Sequence, residues 1–126
     1  MRAEFTIVGR MPGLNEYTKK NRNNWHAGAR MKKRETERAA WSARAAHVPR
    51  FHKPVRIGFL WVEPNRRRDR DNIAFAKKFV LDGLKMAGII ADDGPDHVVD
   101  LTDEWAYDKE FPRVVVTITD EITEEA

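Results

Sequence analysis

One stretch dictates most of what this chain can fold into: residues 66–93, RRRDRDNIAFAKKFVLDGLKMAGIIADD. Ile73, Ala76, Val80, Leu84 and Ala87 recur at steps of three and four, and Phe75, Phe79 and Met86 widen the stripe. That spacing predicts a helix with one buried face. Asp71 or Asn72 can cap its start, because either side chain can accept from the free amides of the first turn. Gly88 suits the position after its last turn, and Asp92-Asp93-Gly94-Pro95 reads as the turn beyond. Such a helix must lie on an apolar surface, and the flanking segments supply one. Val55–Val62 places Ile57, Phe59 and Trp61 on one face and Leu60 and Val62 on the other, which predicts a central strand covered on both sides. Val98–Tyr107, with Val99, Leu101 and Trp105, reads as another strand.

The remainder completes a small domain. Glu4–Arg10 alternates as a first strand, with Phe5, Ile7 and Gly9 on one side, and Met11-Pro12-Gly13 breaks it. Leu14–Trp25 is polar, rich in Asn and Lys, and reads as a loop. Ala27–His47 is built of strong helix formers, with Met31, Ala39 or Ala40, Trp41 and Ala45 as its buried stripe. Val48-Pro49 ends that helix, since a residue before proline is pushed out of the α region. Arg113–Thr119 alternates as a closing strand, and Glu121–Ala126 reads as frayed. The order β, α, β, α, β, β over residues 1–126 predicts a single α+β domain, a mixed sheet of about four strands carrying two main helices. Cysteine is absent, so no disulfide framework or thiolate metal site exists. No apolar run approaches the roughly 20 residues that cross a bilayer, and MRAEFTIVGR does not read as a signal peptide. A cytoplasmic, nucleoid-associated protein that does not enter membranes is expected.

Charge is unevenly spread. Residues 1–50 carry 12 Lys and Arg against 4 Asp and Glu, whereas residues 91–126 carry 2 against 12. That asymmetry suggests a face that binds a polyanion and a separate acidic end. Arg66, Arg67, Arg68 and Arg70, together with Lys32, Lys33 and Arg34 on the first helix, are the candidate phosphate contacts.

Two acidic pairs frame the residue 66–93 helix. If the chain at Asp69 and Asp71 is extended, both carboxylates face one way while Arg68 and Arg70 face the other. Neighbouring carboxylates repel unless a cation or proton lies between them. Mg²⁺ is commonly met by one or two carboxylates, several waters and a substrate phosphate. The second pair, Asp92 and Asp93, could join only if the sheet returns the chain. A metal held there would polarise a phosphodiester and supply hydroxide at neutral pH. Lys78 lies two turns past Asp71, about 10 Å along the axis, and can lean back toward the same place; Lys77 is the alternative. Plainer readings stand beside these: Asp71 as a helix cap, Asp69 as a partner of the arginines, Asp92-Asp93-Gly94 as a turn, and Lys78 as an i,i+4 partner of Asp82.

RDRDN, then KKFVLDGLKMAGII, then ADD resembles the RusA-like Holliday-junction resolvases, whose pattern is Asp-x-Asp-Asn, a helix with a lysine and Leu-Asp-x-Leu, then an Asp-Asp turn. PGLNEY near the N-terminus is similar as well. The resemblance implies a small α+β homodimer that needs Mg²⁺, or Mn²⁺ in its place, and cuts four-way DNA junctions by paired nicks. It also implies a recombination or prophage setting. It puts Asp69 and Asp71 at the family's first two catalytic aspartates, the third in the Asp92-Asp93 turn with Asp93 favoured and Asp92 assisting, and the lysine at Lys78. The gap from Asp71 to that lysine is about one turn longer than the family pattern.

Other classes fit less of the chain. A non-catalytic, structure-selective DNA-binding protein would use the basic residues and leave the acids inert. A restriction-enzyme-like nuclease needs an acidic-x-Lys element on a strand, and none stands in strand context. A protein adaptor would leave the arginine–aspartate cluster unexplained. His26, His47, His52 and His97 show no paired spacing suited to zinc.

Overall fold

In the computed structural model, which describes residues 1–122, the elements run β1 (Arg2–Val8), α1 (Leu14–Asn23), α2 (Trp25–Ala45), β2 (Val55–Glu63), α3 (Arg70–Ala74), α4 (Lys77–Met86), β3 (Val98–Tyr107) and β4 (Arg113–Thr119). The four strands form one mixed sheet in the order β1-β4-β2-β3. β4 lies antiparallel to both neighbours, while β3 runs parallel to β2 at the edge. The α+β class and the mixed four-stranded sheet are as the sequence predicted. The segment expected to fray lies from residue 123 onward outside the described residues.

Alternation decides the core. Phe5 and Ile7 of β1, Ile57, Phe59 and Trp61 of β2, and Val114, Val116 and Ile118 of β4 are all buried on the helix side. They meet Ala39 and Ala43 of α2 and Phe79, Val80 and Leu84 of α4. The opposite face differs from expectation. β2 is interior to the sheet, but its Arg56, Gly58 and Leu60 line an open hollow of about 470 Å³ with Thr102, Val115 and Thr117. Both faces of β2 carry apolar residues, yet helices cover only one.

Three helical details depart from the pattern. Leu14–Asn23 is a helix, α1, with no buried residue; a helix without an apolar stripe leaves no periodic signal. The stretch after Asp69 is two helices. Ala76 N–H bonds Ile73 O at 3.2 Å and Phe79 N–H bonds Ala76 O at 3.0 Å, a tightened turn with three-residue spacing. The break lets Phe75 sit between Tyr17, at 5.4 Å, and Phe79, at 5.7 Å between ring centroids, and it leaves Met86 exposed. In α2 the buried face is Gly28, Met31, Glu35, Thr36, Ala39, Ala40 and Ala43, so Trp41 and Ala45 point outward. Small residues are required there because α4 crosses closely: a Cβ at Gly83 would lie 2.7 Å from Ala39 Cβ and 2.8 Å from Thr36 O.

Candidate functional site

The arginine–aspartate segment leaves the end of β2 at Glu63, whose side chain is buried. A buried carboxylate needs a partner, and Arg68 provides it. Arg68 Nε and Nη2 each donate to Glu63 at 2.8 Å, and Nη1 donates to Met11 O at 3.0 Å. The Arg68 side chain is only 14% exposed. Of the four arginines expected at phosphate, this one is turned into the fold and ties the segment down. The other three stay at the surface. The Arg66 guanidinium lies 4.9 Å from the centre of the Tyr107 ring, and that of Arg70 lies 5.2 Å from Trp105. Stacking on β3 aromatics holds two cations at the sheet edge without neutralising them.

Asp69 is the extended residue before α3, with φ −69° and ψ 150°. Asp71 already lies inside that helix, so the two are not neighbours on a strand. Both are exposed, and among the described residues neither has an ion-pair partner. Asp71 Oδ1 accepts only the amide of Asn72, at 2.9 Å. Asn72 caps a different helix: its Oδ1 accepts from Asn15 N–H in the first turn of α1 at 2.9 Å. A Cβ on Gly13 would stand 2.5 Å from that oxygen, so the Asp-Asn dipeptide is braced against the glycine of PGLNEY.

Asp92 and Asp93 occupy the other end of α4. Asp93 Oδ1 accepts from Lys85 Nζ, in the last turn of that helix, at 3.4 Å, and Lys85 also lies 3.6 Å from Asp82. Burial works against the charge on Lys85, but Asp93, with Asp82 and Asp92, outweighs it and raises the lysine pKa. For Asp93, partial burial would raise the pKa, and Lys85 overrides this and lowers it. α4 spans ten residues, about 15 Å, between the two acidic pairs. Among the described residues no group of three or more His, Asp or Glu side chains is gathered as a metal-ligand set. The expected convergence of Asp69, Asp71 and Asp93 is therefore not seen within one chain.

The lysines divide as well. Lys78 is 56% exposed and lies 3.8 Å from Asp82, the plain i,i+4 contact. Lys77 faces the sheet, where Nζ donates to Asp103 Oδ2 at 2.7 Å. Asp103 also accepts from Trp61 Nε1 at 2.9 Å. Asp103 stands two residues before Trp105 on β3, so this carboxylate belongs to the same edge as Arg70. Sequence reasoning missed it, since only the β2–β3 register brings it to Lys77. On α2, Arg34 pairs with Glu35 at 3.4 Å and Lys32 lies 4.0 Å from Asp82, while Lys33 is exposed.

Two exposed carboxylates without ion-pair partners among the described residues, close in sequence to Arg66, Arg67 and Arg70, which likewise pair with no acid there, have the donor chemistry that suits Mg²⁺ sharing its shell with water and a phosphate. No helix among the described residues is long and apolar enough to cross a membrane. No family model matches the chain, and no curated protein matches it significantly.

Proposed function

We propose that this chain is a RusA-like, Mg²⁺-dependent endodeoxyribonuclease that acts on four-way DNA junctions as a homodimer, with Mn²⁺ able to substitute. The observation that carries the reading is the pair Asp69 and Asp71, both exposed, without ion-pair partners among the described residues, and close in sequence to the surface residues Arg66, Arg67 and Arg70. Asp69 and Asp71 hold the cation. When bound, Mg²⁺ supplies charge on the scissile phosphate and an acidified water. Arg66, Arg67 and Arg70 bind the flanking phosphates, and Arg68 with Glu63 keeps that segment in place. Lys78, half in solvent, is free to leave Asp82 and stabilise the departing oxygen. A junction with two-fold symmetry presents equivalent strands to two identical sites, which is the reason for a dimer.

Incubating the full chain with a labelled synthetic four-way junction, with Mg²⁺ or with EDTA, tests this. Paired nicks that need the metal are expected. Tight junction binding with no nicking in either Mg²⁺ or Mn²⁺ would instead identify a non-catalytic junction-binding protein.

A further inference from the structure

A second feature lies at the elbow between α1 and α2, outside the acidic site. Trp25 opens α2 and is 68% exposed. Its ring lies on the imidazole of His26, with centroids 3.7 Å apart and an interplanar angle of 32°. One side of the indole thus rests on a neighbour, and most of the remainder is in water. Burying so large an aromatic is strongly favourable, so leaving it out calls for a role.

The elbow is rigid. Asn24 caps α2 by accepting from His26 N–H at 2.9 Å. Gly28 is buried beneath Asn21, so closely that a Cβ there would lie 1.7 Å from Asn21 Oδ1. The stacked pair is therefore presented on a fixed base. Its surroundings are cationic: residues 17–34 contain Lys19, Lys20, Arg22, Arg30, Lys32, Lys33 and Arg34 and no Asp or Glu. Lys19, Lys20, Arg22 and Arg30 have no ion-pair partner among the described residues.

A flat aromatic braced in a field of uncompensated cations has the chemistry of a nucleobase platform: the backbone phosphates meet the cations and an unstacked base meets the ring. We propose that Trp25, backed by His26, stacks on an unpaired base of DNA and gives this surface its preference for strands with open bases over continuous duplex. This rests on the reading that the chain binds DNA. Paired bases in duplex are already stacked on one another, so the ring has nothing to add there, and the cations serve both forms alike.

The test uses the full chain, a labelled oligothymidylate and a labelled blunt duplex of equal length, with Trp25→Ala, Trp25→Phe and Trp41→Ala. Trp41 is the control, being as exposed, at 70%, and on the same helix. Trp25→Ala should weaken oligothymidylate binding about 5- to 100-fold and change duplex binding by less than about two-fold. Trp25→Phe should restore most of the loss, and Trp41→Ala should change neither affinity. Equal losses on both DNAs, no loss on either, or the same selectivity change from Trp41→Ala would each overturn the inference and leave the nuclease reading standing. Wild-type protein that binds neither DNA would overturn both. Dissociation of a dimer by Trp25→Ala in sedimentation would assign the ring to a contact between copies instead.

Discussion

The segment that runs from α3 through α4 is bounded by two close pairs of aspartates, and Asp69 and Asp71 lack the fixed counter-charge that Asp93 has. At the start, Asp69 and Asp71 follow closely on arginines in the chain, yet none of these pairs with them: Arg68 is bound to Glu63, while Arg66 and Arg70 rest on aromatic rings that leave their charge uncancelled. At the finish, Asp93 is met by Lys85, and the two charges answer each other. Composition alone would rank the pairs alike. What separates them is whether a fixed counter-charge is already in place. A satisfied carboxylate belongs to the fold, and one left without a partner is available for a ligand.

The strongest way to break this contrast is to remove the charges one end at a time. Asp71→Asn should lower Mg²⁺-dependent nicking of a four-way junction roughly a thousand-fold, since a metal's stabilisation of the transition state is worth several kcal/mol. Junction binding, followed by gel shift, should be retained. Asp93→Asn should lower nicking far less; equal losses from both would mean that the two ends share one ion after all.

Next in size is Arg68→Ala. It strands Glu63 as a buried carboxylate with no partner, which costs about 3–5 kcal/mol and should show in urea denaturation. Arg67→Ala should leave the denaturation midpoint unchanged. It should reduce the slope of log affinity against log salt by about one for DNA of any shape. If the two substitutions behaved alike, the division of the arginines into a structural one and DNA-facing ones would fail.

The smallest effect concerns Lys85 and Asp93. The folded pKa of Asp93 is lowered, so its stabilising share is present above the ordinary aspartate value, near about pH 4, and is lost as pH falls through the depressed value. The Lys85 pKa is raised, so its share is present below the ordinary lysine value, near about pH 10, and is lost as pH rises through the raised one. Asp93→Asn should cost under about 1 kcal/mol at neutral pH and should reduce the drop in stability on acidification, measured by denaturant midpoint across that range.

Where the sequence was legible, the signal was local. The alternation of β2 and β4 and the step of Ile73, Ala76, Val80 and Leu84 each follow from burying one face. Asp69 and Asp71 were found because they are two residues apart. What stayed hidden was set by partners far along the chain. α1 has no apolar face, and the side chain that caps it, Asn72, comes from 57 residues later. Trp41 looked like a core residue, but the close crossing at Gly83 admits only small neighbours. Asp103 meets Lys77 only through the β2–β3 register, and whether Asp93 joins Asp71 depends on how α3 and α4 carry the chain between them, which no local pattern records.

The strand order has a consequence for synthesis. β4 is the last of the four strands in chain order, yet it lies between β1 and β2, and the Met1 ammonium pairs with Asp120 at 2.7 Å. Until β4 has been made, β1 and the β2–β3 pair have nothing to join them, so the sheet cannot close on its earlier strands alone. Loss of β4 would split the sheet through its middle instead of trimming its border.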